Sequence, residues 1–423
     1  QINVPRDYWT QVVDIELPPI VRLERQAGGA AAIEEAANLL SNAKFPVILS
    51  GAGVVIGGAI KDCVKLAEKL DSPVCSGYQH NDSFPGSHPL AVGPLGYNGS
   101  KAAMELIAKA DVVLALGTRL NPFSTLPGYG IDYWPKNAKI IQVDMNSDRI
   151  GLTKKVTVGI CGDAKLVSQQ LLSKLSPKAG DTDRQKRKDL IHQTKSAWLQ
   201  KLSSLDHEDD DPGTVWNKEA RDRDKDRMSP RQAWRAIQAG MPEDVIISSD
   251  IGNNCAIGNA YPTFEKGRKY LAPGLFGPCG YGFPSILGAK IGCPNTPVIG
   301  FAGDGAFGIS MNEMSSCARD EWPAISMVIF RNYQWGAEKR NTTLWFDNNF
   351  IGTELDPELS YAKVANACGL KGVTVKTMDE TTKAIKQSCD DQKKGITTFI
   401  EVILNQELGE PFRRDAMKKP VRV

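Results

Sequence analysis

Histidine is scarce in this sequence, four in 423 residues, and the nine cysteines contain no Cys-x-x-Cys pair. That removes the usual ligand sets of a structural zinc site and the pattern of a disulfide framework. The thiols at 63, 75, 161, 255, 279, 293, 317, 368 and 389 read mostly as core residues. Charge of one sign is missing too: 51 Lys and Arg face 49 Asp and Glu, a net +2, so no field for nucleic acid or a membrane surface is implied. Long apolar runs are absent. Stretches such as Ala110-Asp111-Val112-Val113-Leu114-Ala115-Leu116 are strand-sized, and nothing reads as a signal peptide or a membrane span. A cytoplasmic protein is expected. There are no internal repeats and no low-complexity tracts.

What is present is ordinary globular composition, 41% apolar and 24% charged, at a length suited to two or three domains. Residues 26 to 175 alternate helical patterns with strands at Pro46 to Ser50, Ser72 to Ser76, Val112 to Gly117 and Lys139 to Asp144, which predicts a doubly wound parallel sheet. Residues 176 to 228 turn sharply to charge, with Lys186-Arg187-Lys188-Asp189, Glu208-Asp209-Asp210-Asp211 and Arg221-Asp222-Arg223-Asp224-Lys225-Asp226-Arg227. Because both signs alternate, this is read as a solvated linker, helical around Ile191 to Leu202. Ser229-Pro230-Arg231 then reads as an N-cap followed by proline at the first helical position, opening a domain over residues 229 to 423. The predicted fold is α/β, two doubly wound parallel-sheet domains joined by a charged linker.

The chemistry concentrates between residues 297 and 336. Pro297-Val298-Ile299-Gly300-Phe301-Ala302 reads as a buried parallel strand ending at Gly303-Asp304-Gly305. A helix is expected to start around Ser310-Met311-Asn312-Glu313-Met314, so that free backbone N–H groups face an anion. A second apolar run, Ala324 to Phe330, reads as the neighbouring parallel strand and ends near Asn332-Tyr333-Gln334. The Asp304 carboxylate, the Asn332 amide oxygen and the Gln334 carbonyl, with phosphate oxygens and a water, would complete the octahedron of oxygens that Mg²⁺ demands.

This pattern resembles the thiamine diphosphate enzymes, whose cofactor motif is Gly-Asp-Gly followed further on by asparagine. Ala27-Gly28-Gly29-Ala30, Phe45 to Gly53, Gly93-Pro94-Leu95-Gly96-Tyr97-Asn98-Gly99 and Leu116 to Phe123 resemble the middle domain of the acetolactate synthase group. Within that group Gly77-Tyr78-Gln79-His80-Asn81-Asp82 and the segment Asn121 to Pro135 are most similar to the sulfoacetaldehyde acetyltransferases. The resemblance implies that Asp304, Asn332 and the Gln334 carbonyl hold Mg²⁺, with Gly305 and Ala306 bonding the diphosphate through their amides next to Gly303 and Gly336. Gly252, Asn253 and Asn254 would hold the phosphates from the other side, and Gly277 and Cys279 would meet the aminopyrimidine. Cys279 stands where the family often has a methionine that wedges the cofactor into its bent form.

The family also needs a glutamate on a separate pyrimidine-binding domain, which activates the ring by proton transfer. No segment here resembles that domain. Position 1 is glutamine, and residues 1 to 25 read like the connector that follows it, so the expectation is a chain lacking an upstream domain, with no catalytic residue assignable within it. Lys339 and Arg340 follow the metal loop and are candidates for binding sulfonate or phosphate oxygens. His80 and His88, in a loop rich in Asn, Asp, Pro and Gly, read as ordinary surface residues. Gly51-Ala52-Gly53-Val54-Val55-Ile56-Gly57 departs in spacing from a dinucleotide fingerprint, and Asp71 precedes a strand instead of ending one, so a nicotinamide dehydrogenase is disfavoured and FAD is not expected.

The reaction implied by the resemblance converts sulfoacetaldehyde and phosphate to acetyl phosphate and sulfite through thiamine adducts, a step of taurine and sulfonate breakdown. Its partners would be those small molecules and other copies of the chain, as a homodimer or homotetramer. Two alternatives stand beside it: an acetolactate synthase-like carboligase, and a non-catalytic thiamine diphosphate-binding subunit.

Overall fold

The structure is a computed structural model that describes residues 2–128, 130–176, 183–205, 224, 226–274, 276–346 and 348–407. The acidic run Glu208 to Asp211 and most of the mixed run from Arg221 lie outside those residues. Two six-stranded sheets form, every strand pair parallel. In the first, β1 (Pro46–Ser50), β2 (Val74–Ser76), β3 (Ala91–Pro94), β4 (Val112–Leu116), β5 (Lys139–Asp144) and β6 (Val158–Cys161) lie in the order 3-2-1-4-5-6. The second holds β7 (Ile246–Ser249), β8 (Tyr270–Leu271), β9 (Val298–Gly303), β10 (Ser326–Arg331), β11 (Lys371–Val375) and β12 (Thr398–Ile403), in the order 11-12-10-9-7-8.

The central strands are mostly apolar because helices cover both faces and leave no solvent side; the exceptions, such as Ser248, Ser249 and Arg331, are buried as well. β1, β4, β7 and β10 are buried at every position. The second sheet separates two apolar clusters, one around Trp234, Phe301 and Phe330 and the other around Phe283, Phe307 and Phe399. Ser229 caps the helix Pro230–Gly240 in a reciprocal box with Gln232, and proline occupies the first turn.

The charged stretch is only in part a solvated linker. Its helix, Asp183–Leu205, starts well before Ile191 and docks at both ends. Arg187 is buried and donates to the carbonyls of Lys44 and Asp71, while Arg184 and Lys188 both reach the Asp71 carboxylate. Ile191 enters the core of the first sheet; Trp198 and Leu202 enter that of the second. Like-spaced cations that seemed free to face water are drawn to one buried acid that the sequence places more than a hundred residues away.

The two sheets also meet directly. Asn81 Nδ2 donates to the carbonyls of Asn259 (2.9 Å) and Pro262 (2.8 Å), and the Asp82 carboxylate accepts from the amides of Lys269 (2.9 Å) and Tyr270 (3.3 Å). This corrects the surface reading of His80. It flanks a buried loop, and burial, with Arg119 nearby, pushes its imidazole down to about 4. His88 is half-buried, accepts from the Leu90 amide and faces Glu68 at 3.5 Å. Of the nine thiols, Cys63, Cys75, Cys255, Cys317 and Cys389 are core residues, whereas Cys161, Cys279 and Cys293 are exposed.

Candidate functional site

β9 and β10 pair side by side, with Phe330 opposite Gly303, so their carboxyl ends bring residues 303–306 and 331–336 to one edge. The helix begins at Asp304 itself, as Asp304–Gly308, and not near Ser310, where only a 3-10 turn (Met311–Glu313) and a short helix (Met314–Cys317) follow. A small residue is needed after the aspartate: a Cβ at position 305 would stand 2.8 Å from the indole of Trp335, which lies against this turn.

Asp304 is 1% exposed. Its Oδ1 accepts from the Gly305 amide at 2.9 Å, and its Oδ2 accepts from the Tyr333 amide at 2.6 Å and from Arg331 Nη1 at 3.1 Å. Burial pushes its carboxyl up to about 6, and Arg331 and the two amides oppose that rise. The Tyr361 hydroxyl fixes the backbone by donating to the Asp304 carbonyl at 2.8 Å.

The facing wall follows β7. Gly252 has φ +130°, a conformation only glycine holds without strain, and caps the helix Asn253–Ile257. Asp250, just upstream, is buried and accepts from the amides of Ile251 (2.7 Å), Gly280 (3.1 Å) and Gly282 (2.7 Å). It thereby ties the 250 loop to the 280 loop. Trp234 Nε1 donates to the Asn254 carbonyl at 2.6 Å and anchors the same wall from behind.

One cleft is lined by Gly252, Asn253, Asn254, Cys279, Gly303, Asp304, Gly305, Ala306, Asn332, Gln334 and Gly336, which is every expected cofactor or metal residue except Gly277. Gly277 faces Ile251 with φ +60°. Lys339 and Arg340 do not line the cleft: Lys339 pairs with Glu354, and Arg340 is buried on the helix Gly336–Trp345. The cleft also takes in Ile251, Trp335 and Glu338, which the sequence reading did not single out. Arg331 was missed as well. Its signal was a lone cation closing an apolar run just before Asn332.

The residues present fit a cation and a diphosphate. Asp304 offers a carboxylate oxygen and Asn332 and Gln334 offer amide oxygens to one cleft, hard oxygens of the kind Mg²⁺ prefers. Buried Asn254 Oδ1 and Gln334 Oε1 have no hydrogen-bond partner among the described residues. The bonds from the Trp335 amide to the Thr353 carbonyl and from the Leu355 amide to the Tyr333 carbonyl flank Gln334 and leave its own carbonyl outside that ladder.

Residues 33–171 match the model of the thiamine pyrophosphate enzyme central domain, and residues 250–402 that of the C-terminal thiamine pyrophosphate-binding domain. A protein of Rhizobium meliloti described as a probable sulfoacetaldehyde acetyltransferase is 78% identical over all of this chain and 72% of its own length. The sulfoacetaldehyde acetyltransferase of Roseovarius nubinhibens is 72% identical, over all of this chain and 70% of its length. A probable acetolactate synthase large subunit of Methanococcus aeolicus is 29% identical over 92% of this chain and 65% of its own. A Gly-Asp-Gly turn facing an asparagine loop, two parallel sheets and these matches lead to one assignment: the chain belongs to the thiamine pyrophosphate enzyme family.

Proposed function

We propose that this chain is the central and cofactor-binding part of a sulfoacetaldehyde acetyltransferase, which turns sulfoacetaldehyde and phosphate into acetyl phosphate and sulfite. The observation that carries the reading is identity of 66 to 78% over the whole chain with three relatives of that description, against 29% for an acetolactate synthase large subunit. The same figures weigh against the carboligase and the non-catalytic subunit.

Thiamine diphosphate, when bound, supplies a nucleophilic ring carbon and an electron sink for the aldehyde and acyl carbons. Asp304, Asn332 and the Gln334 carbonyl would hold Mg²⁺. The Ala306 amide and the wall of Gly252, Asn253 and Asn254 would meet the diphosphate. The Gly305 amide is turned onto Asp304 and acts there to orient the carboxylate. Trp335 and Ile251 line the cleft and would exclude water from it. Asp250 keeps Cys279 and its loop at the cleft mouth. We assign no residue of this chain to the ring-activating glutamate, which belongs to a pyrimidine-binding domain in this family.

No helix among the described residues is long and apolar enough to cross a membrane. A cytoplasmic homodimer or homotetramer serving sulfonate breakdown is the setting that fits this reading. Sulfite and acetyl phosphate formed by the full-length protein from sulfoacetaldehyde, phosphate, Mg²⁺ and thiamine diphosphate are the expected products. Turnover without phosphate, or acetolactate made from pyruvate, would defeat the proposal, and light scattering checks the assembly.

A further inference from the structure

Arg331 closes β10 with 1% of its side chain exposed, beside the cleft and outside its lining. Both of its terminal nitrogens are hydrogen-bonded, and Nε lies near a carboxylate. Nη1 donates to Asp304 Oδ2 at 3.1 Å; Nη2 donates to the carbonyls of Leu359, at 2.9 Å, and Asp356; Nε faces Glu401 Oε1 at 3.8 Å. The plane lies over the Tyr333 ring, 4.1 Å from its centroid. Glu401 is fixed in turn by the hydroxyls of Ser360 (2.6 Å) and Thr374 (3.1 Å) and the amide of Tyr361 (3.1 Å).

The effect on Asp304 is asymmetric. A carboxylate oxygen offers about two lone-pair sites. Oδ2 takes two donors, Arg331 Nη1 and the Tyr333 amide, and is filled. Oδ1 takes only the Gly305 amide and keeps one site open. A carboxylate with one open oxygen can ligate a cation through that oxygen alone. Mg²⁺, with its small and rigid octahedron, tolerates that arrangement, whereas Ca²⁺ accepts and often uses both oxygens of a carboxylate.

We propose that Arg331 is a positioning residue that occupies Asp304 Oδ2, so that the aspartate presents a single oxygen and the site discriminates Mg²⁺ from Ca²⁺. This rests on Asp304 being a ligand of the cation. The fork of the guanidinium carries the role, since it bonds the carboxylate and the Leu359 and Asp356 carbonyls at once; an ammonium cannot reproduce that geometry.

The test is calorimetric titration of the full-length protein with Mg²⁺ and with Ca²⁺, each in the presence of thiamine diphosphate. The paired variant Arg331→Met with Glu401→Gln removes one buried charge of each sign, so the net charge beside Asp304 is unchanged. It is expected to weaken Mg²⁺ binding about 10- to 100-fold, the usual cost of losing a partner of a metal ligand, and Ca²⁺ binding much less. Arg331→Lys keeps the charge without the fork and is expected to fall between, with some loss of melting temperature from the unpaired carbonyls. An Mg²⁺ to Ca²⁺ affinity ratio unchanged in Arg331→Lys and in the paired variant would overturn the inference. Asp304→Ala separates the two levels: if it keeps Mg²⁺ binding, the ligand reading itself fails; if it loses binding while the Arg331 variants keep the ratio, only the positioning role fails.

Discussion

The two sheets each carry a glycine turn at the carboxyl end of a central strand, and the two turns differ in what stands against their glycines. After β1, Gly51 and Gly53 are pressed against the turn that follows β4: Cβ atoms there would stand 2.6 Å from the Gly117 carbonyl oxygen and 2.7 Å from the Gly117 Cα. The Gly53 amide donates to the Gly117 carbonyl at 2.8 Å. After β9, a Cβ at Gly303 would meet nothing within 4 Å, and the aspartate beside it faces a lined cleft. In the first turn the missing side chains let two loops touch. In the second, Gly305 likewise lets Trp335 close in, and only Gly303 stands open beside the cleft. A glycine fingerprint therefore acquires a meaning only from what stands opposite it.

That contrast breaks most readily at Asp304. Asp304→Ala in the full-length protein is expected to lower Mg²⁺-dependent thiamine diphosphate affinity by at least about 100-fold, more than the loss of an outer partner costs. The melting temperature without cofactor should fall too, because Arg331 loses a buried partner. Calorimetry and a melting curve decide it, and retained affinity would erase the difference between the turns.

His80 tests the closed side. It stands beside the β1 edge, its ring carbon Cδ2 and the Ser50 carbonyl both 3.7 Å from where a Gly77 Cβ would lie. An unfolded chain protonates its imidazoles near pH 6.5, but burial and Arg119 push His80 down to about 4 in the fold. Between those values the unfolded state binds the extra proton, so the stability present above pH 6.5 is lost as the pH falls towards 4. His80→Asn is expected to remove about 2 to 3 kcal/mol of that loss when urea midpoints at pH 4.5 and 7 are compared. An unchanged slope would mean that the loop takes up the proton without strain.

A glycine exchange sharpens the same point. Gly53→Ala should cost about 2 kcal/mol from overpacking against the Gly117 backbone and leave cofactor affinity intact. Gly303→Ala, whose Cβ has open space, should change stability by no more than about 0.5 kcal/mol. Equal melting shifts would remove the distinction. The smallest effect belongs to Lys188→Ala. Its ammonium is half exposed and Arg184 also holds Asp71, so about 0.5 kcal/mol or less is expected from denaturation.

Much of the site was legible because its parts are local. The run from Pro297 to Gly305 carries its own strand, turn and acid, and the run from Ala324 to Gln334 carries the partner strand and its amide. Parallel pairing then leaves little freedom in how they meet. His80 was misread because a loop of Asn, Asp and Gly looks solvated; the Asn81 and Asp82 side chains are satisfied by carbonyls and amides of residues 259–270, which no local pattern announces. The docking of Arg184, Arg187 and Lys188 was hidden for the same reason. So was Arg331, whose role depends on Asp304, Leu359 and Glu401 arriving from three other elements.

By itself the sequence determined the two parallel sheets and the strand edge at which Gly303-Asp304-Gly305 and Asn332-Tyr333-Gln334 gather. Apolar periodicity and glycine placement act within a few residues, and they are written along the chain. Tertiary structure alone decided what packs against each glycine turn, how the Asp304 carboxylate is rotated, and where the cations of the charged stretch go. Those outcomes are settled by the burial of polar groups, which must find partners wherever folding has brought them.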